Sequence, residues 1–202
     1  MHPYILGIIW ALGRYVDRAE NPNYRYFFFR HNRDYFLKIV RQELGVKNNI
    51  YTILRKGKIQ YQLKAPDINI ATLERLGWSP RWAEQRNYPN IIEHQDFIRA
   101  YLEIHGRLDT IIIRKRKSSQ KQPRLRIYGN RYFLEELSEV LSAHAGLGVK
   151  KVQKTTNESE VSGILYYQSR SELKALLEYL YPPGIQYFDR EWYEKFKEIV
   201  YH

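Results

Sequence analysis

The sequence predicts an α+β protein made from one helix-and-sheet unit used twice, and three observations carry that reading. Short motifs recur in the same order in both halves, and runs of strand-like composition lie between them. The apolar content, 44% of 202 residues, is ample for a packed core, yet no apolar run reaches the length of a membrane span. The first helix is read over "YILGIIWALGRY", Tyr4 to Tyr15, an apolar, small-residue stretch running into Gly13. Its counterpart, "FIRAYLEIHGRL", opens at Phe97 and runs into Gly106, 93 residues after Gly13. "YFLKIVRQEL" at Tyr35 is answered by "YFLEELSEVL" at Tyr132, and "ATLERL" at Ala71 by "ALLEYL" at Ala175, with offsets of 97 and 104 residues. Three matches in one order, drifting slowly as loop insertions would make them drift, point to duplication.

Between these helices lie the strands. "YRYFFFRH" (Tyr24 to His31) and "NIYTILRKGKIQYQLKA" (Asn49 to Ala65) are rich in aromatic and β-branched residues, and Lys56-Gly57 breaks the second as a hairpin turn would. Lys58, Gln60, Gln62 and Lys64 alternate with Ile59, Tyr61 and Leu63, the period of a sheet with one face on a core. In the second half "DTIIIRKRK" and "PRLRIYG" flank a polar turn around Ser118 to Gln122, and "KKVQK" with "EVSGILYYQ" supplies the next pair. Each half therefore reads helix, two strands, helix, two strands, helix. Residues 1–78 form the first repeat, 79–94 a linker containing Pro80 and Pro89, and 95–182 the second repeat. Residues 183–202, after Pro182-Pro183-Gly184, hold a last amphipathic helix over Asp189 to Val200.

Charge narrows the partner. Lys and Arg number 33 against 22 Asp and Glu, a net charge of +11 and a pI near 9.7, which favours a polyanion. There are no cysteines, so disulfides, cysteine metal sites and cysteine nucleophiles are excluded. No secretory leader is legible at the start. A cytoplasmic protein without membrane association is expected, with a nucleoid-associated or organellar setting as the alternative.

This αββαββα duplication, with a glycine-ended apolar helix opening each half, resembles the LAGLIDADG homing endonucleases over nearly the whole chain. The resemblance implies two motif helices side by side on a pseudo-twofold axis and two saddle-shaped antiparallel sheets over DNA. Gly7 and Ala11, four apart on one helix face, and Ala100 in the second helix are the small residues that close approach requires, while Ile104 is bulkier than the pattern expects. In the family an acid precedes each motif's last glycine, and the two acids hold divalent cations that clamp a phosphodiester's attacking and leaving oxygens. Here those positions are Leu12 and His105. Leucine has no donor, and imidazole suits softer transition metals better than magnesium. No catalytic residue, metal site or cofactor is therefore expected. Magnesium-dependent cleavage would need displaced acids, for which Glu103, Asp17 and Asp109 are the candidates, Trp10 filling the slot equivalent to Glu103 in the first helix. His105 reads instead as a polar helix end where positive charge is favourable.

The DNA-facing residues expected from the pattern are Arg14 and Arg107, just past the two motif glycines, and two sheet surfaces. One carries Arg25, Arg55, Lys58, Gln60, Gln62 and Lys64, the other Arg114, Arg116, Arg124 and Arg126. From Thr110 to Leu134 there are eight basic residues and no acid, the composition of a β-ribbon suited to phosphates or to guanine edges in a major groove. The leading function is a monomeric, sequence-specific double-stranded DNA-binding protein that has lost cleavage and acts as a regulator. The alternatives are an endonuclease or nickase using displaced acids, and a maturase that binds structured intron RNA.

Overall fold

The computed structural model describes residues 1–17, 25–66, 68–115, 118–155 and 160–201. The first half runs α1 (Pro3–Leu12), β1 (Arg14–Val16), β2 (Tyr26–His31), α2 (Tyr35–Glu43), β3 (Tyr51–Arg55), β4 (Lys58–Ala65) and α3 (Ile70–Arg75). The second runs α4 (His94–His105), β5 (Gly106–Lys115), β6 (Ser118–Asn130), α5 (Arg131–Ala145), β7 (Gln153–Lys154), β8 (Ser162–Tyr167) and α6 (Arg170–Leu180), followed by α7 (Arg190–Tyr201). Two four-stranded antiparallel sheets result, ordered β1-β2-β4-β3 and β5-β6-β8-β7. The strand orders correspond one to one, so the duplicated αββαββα layout read from the motifs is the layout observed.

Helix α1 is buried all round from Tyr4 to Ala11, as a helix apolar on every side must be. It starts at Pro3, with His2 Nδ1 accepting from the Tyr4 amide at 3.1 Å. It stops at Gly13, whose backbone is extended, and α4 stops in the same way at Gly106. Neither glycine is needed for a left-handed conformation. A Cβ at Gly13 would lie 2.5 Å from the Ile9 carbonyl oxygen, and one at Gly106 would lie 2.4 Å from that of Leu102. A side chain cannot make that reversal, which explains the recurrence of glycine at both helix ends. Helix α1 packs directly on α4: a Cβ on Gly7 would lie 2.5 Å from Phe97 O and 2.8 Å from Ala100 Cβ. Ile104, the bulky residue of the second motif, is only partly buried.

The sheets bury one face each. Phe27, Phe29, Leu63 and Ala65 of the first meet Phe36, Leu37 and Val40 of α2 in the core. Leu108, Leu125, Ile127 and Leu165 of the second meet Phe133, Leu134 and Leu137 of α5. The β3–β4 turn is Lys56-Gly57, both at positive φ (50° and 72°), as its sequence indicates. The expected polar turn around Ser118 to Gln122 is corrected: these residues are strand, Ser118 opposite Lys115 and Gln122 opposite Ile111. Polarity there reflects a hairpin extending past the core, where even Ile112 is 64% exposed. Among the described residues no helix is long and apolar enough to cross a membrane.

Candidate nucleic-acid interface

Residues directly opposite on antiparallel strands share a face, and along a strand the face alternates. On the first sheet this puts Arg14, Phe28, Arg30, Arg55, Lys58, Gln60, Gln62 and Lys64 together on the side away from the core. Arg25 lies outside β2, exposed, with its Nε 3.2 Å from Asp17 Oδ1. Arg30, which the aromatic run of β2 obscures in the sequence, is instead the strand's cation on this face. Its guanidinium lies over the Phe28 ring at 5.0 Å. With the Gln62 amide turned to place its oxygen toward Arg30, Nε and Nη2 donate to it at 3.0 Å each.

On the second sheet Arg107, Asp109, Gln120, Gln122, Arg124 and Arg126 share the corresponding face. By register Arg114 is out of step with them: its backbone pairs with Ser119, in phase with Leu108 and Leu125. The shared arginine surface expected across the hairpin is corrected accordingly, because odd positions of β5 oppose even positions of β6, and one step of register exchanges the faces. Arg116 lies outside the described residues. Asp109 accepts from Arg124 at 2.8 and 3.0 Å and also from Arg126. The hydrogen bonds from Arg124, with the charge of Arg126, hold its carboxyl below the usual carboxylate range. It therefore fixes two arginines on the face and partly neutralises them.

At the ends of α1 and α4 lies a cavity of about 430 Å³. Ala11, Leu12, Gly13 and His105 form its helical side, and Arg14, Arg30, Arg55 and Lys58 close it from the first sheet with His31 and Gln60. Arg81, from the segment joining the halves, completes the lining. That segment is pinned to the second repeat, since Asn130 Nδ2 donates to Arg81 O at 3.1 Å and Ala83 O at 2.7 Å. Five cations and no carboxylate line the cavity. Burial, then the Arg55 and Arg14 charges, pulls the Arg30 pKa down. Burial with Arg33 nearby pushes His31 down to about 4, and burial with Arg81 nearby lowers His105 far below the usual imidazole value. Both imidazoles are neutral at pH 7. His105 Nε2 donates to Ala11 O at 2.9 Å, so it covers a carbonyl at the end of the other motif helix. The expectation of a favourable positive charge at this position is corrected by that burial.

None of the candidate substitute acids lines the cavity. Asp17 and Asp109 are held by the arginines just described. Glu103 is 2% exposed and receives the hydroxyls of Tyr4 at 2.5 Å and Tyr181 at 2.8 Å, joining the first repeat to the segment after α6. Trp10, in the matching slot of α1, is core, its indole donating to Asn87 O at 3.3 Å. Burial raises the Glu103 pKa from 4.5 to about 7, so the folded state retains a proton that the unfolded chain loses. This group's contribution is full below about pH 4.5, falls as pH rises to about 7, and is flat above, a span of about 3 kcal/mol. Glu103→Gln is expected to remove that slope and to be more stable than the wild type at pH 8. Urea melts from pH 4 to 8 check this, and an unchanged slope in the variant would refute the assignment.

No protein-family model matches the chain, nor does any curated protein sequence. Solved structures do. The LAGLIDADG meganuclease I-CpaMI bound to uncleaved DNA is 15% identical, with 99% of this chain and 91% of that one covered at a TM-score of 0.64. The LAGLIDADG homing endonuclease I-LtrWI bound to its target DNA is 12% identical over 98% and 88% at 0.64. I-SmaMI bound to cleaved DNA is 10% identical over 99% and 89% at 0.60. The chain has the LAGLIDADG homing-endonuclease fold.

The family resemblance read from the sequence implies divalent metal between the two motif-acid positions, and the residues present here do not fit it. Leu12 offers no donor, and the Nε2 of His105 is committed to Ala11 O. The remaining charged lining is cationic. Among the described residues no group of three or more His, Asp or Glu side chains is arranged to hold a metal ion.

Proposed function

We propose that this protein binds double-stranded DNA across the outward faces of its two sheets, as a monomer, without cleaving it, and that it serves as a DNA-binding regulator. The observation that carries this reading is the pair of matching cationic sheet faces beside a cavity whose two motif-acid positions hold leucine and a neutral histidine. Leucine ligates no cation, and a two-metal displacement needs anionic ligands on both sides of the axis. I-CpaMI and I-LtrWI, which share the fold, are solved bound to DNA, which supports DNA as the partner.

The wild type is expected to bind duplexes of about 20 base pairs with a steep salt dependence, through counterion release. Replacing Arg107, Arg124 and Arg126 together with glutamine is expected to weaken binding about tenfold or more and to flatten that dependence. Fluorescence anisotropy across salt concentrations measures both, and an unchanged affinity and slope would refute the assigned face. Incubation of bound DNA with magnesium or manganese is expected to yield no nicked or cut product. Metal-dependent cleavage that disappears in Glu103→Gln, Asp17→Asn or Asp109→Asn would establish the nuclease reading instead. Tighter binding to folded intron RNA than to duplex DNA would establish the maturase.

A further inference from the structure

We infer that the cavity at the ends of α1 and α4 is a phosphate site, which takes a backbone phosphodiester of the bound duplex directly on arginine where a cleaving relative would place metal-bound carboxylates. The duplex as source of the phosphate rests on the DNA-binding reading; the anion chemistry of the cavity does not. Among the described residues, Arg25, Arg33, Arg99, Arg124, Arg126 and Arg131 each have a carboxylate partner. Within the same residues, the cavity's Arg14, Arg30, Arg55, Lys58 and Arg81 form no ion pair. Like charges brought together without a counter-charge are costly, and a phosphate relieves that cost.

Two of the guanidiniums are already oriented. Arg30 is fixed by Gln62 and the Phe28 ring. Arg81 stacks on the Trp82 ring at 4.6 Å, and its Nε is buried without a hydrogen-bond partner. A guanidinium fork matches phosphate oxygens two at a time, and prior orientation reduces the entropy lost on binding. The carbonyls that end a helix normally repel an anion. At the end of α1 three of the last four are covered: Ile9 O accepts from Gly13 N, Trp10 O from the buried Arg86, and Ala11 O from His105. The negative end of the helix is thereby partly masked, and Arg86 adds a buried positive charge at Trp10 O.

The test is the double variant Arg30→Gln with Arg55→Gln, both on the solvent side of the sheet, with its melting temperature measured alongside. Titrated with a duplex of about 20 base pairs, the wild type is expected to bind equally in chelator and in magnesium at matched ionic strength. The variant is expected to bind about tenfold more weakly, with the salt slope reduced by about one to two. Separately, inorganic phosphate is expected to shift the ring resonances of His31 and His105 in the wild type and not in the variant. Unchanged affinity and slope in a folded variant overturn the phosphate site and leave the DNA-binding reading standing. Binding lost in chelator and restored by magnesium overturns it in favour of metal. Phosphate-induced shifts without duplex binding support the site and remove the DNA-binding reading.

Discussion

Gly7→Leu is expected to destabilise the protein by about 3 kcal/mol or more, lowering its melting temperature by roughly 6 to 12 °C for a chain of this size. Even the first carbon of a side chain at Gly7 lies 2.5 Å from the Phe97 carbonyl oxygen, and a backbone atom in a buried helix has no way to yield locally. Gly7→Ala gains about 1 kcal/mol of helix propensity, which the clash outweighs, so it too is expected to destabilise. Helices α1 and α4 must move apart to admit either residue, and their separation changes the pitch between the two sheets. Affinity for duplex DNA is therefore expected to fall more than the loss of folded protein accounts for. A Gly7→Leu protein melting within a degree or two of the wild type would show that these helices are not in close contact.

Arg99→Leu is expected to cost about 3 to 5 kcal/mol, the range for breaking a buried charged network. Arg99 is fully buried on α4. Its Nε donates to Tyr187 O at 2.9 Å and its Nη1 to Leu180 O at 2.7 Å, while Nη2 meets Asp96. Leucine leaves those carbonyls without a donor; one ends α6 and the other lies in the segment that leads into α7. Limited proteolysis is expected to cut beyond Leu180 in the variant before the rest of the chain opens. Lysine is not expected to rescue it, since a single ammonium cannot reproduce a fork that serves three partners. Global unfolding with no early cut would show that Arg99 does not anchor this segment.

Helices and strands were legible because their signals are short-range. Each repeated motif, the apolar run into Gly13 and the alternation from Lys58 to Lys64 lie within about a dozen residues. The same is true of Leu12, since a leucine side chain ligates no cation wherever it sits. The candidate interface was less legible. Arg30 follows three phenylalanines, so its face is visible only through its pairing with Gln62. Arg81 sits in a proline-containing connection with no periodicity at all, and reaches the cavity because Asn130, 49 residues away, holds its backbone. The protonation of His105 was misread because the helix end it occupies is buried against the other motif helix.

By itself, then, the sequence determined the duplicated αββαββα order, the glycine stops at the two motif helices, the basic balance and the leucine and histidine that stand before those two glycines. These follow from covalent identity and local periodicity, which need no partner. Only the tertiary structure decided that Arg114 is out of register with Arg124 and Arg126, that Asp109 is held by those two, and that five cations without an ion pair among the described residues meet at one cavity. Register depends on how a hairpin closes, and charge depends on what approaches from distant parts of the chain. Both are set by packing.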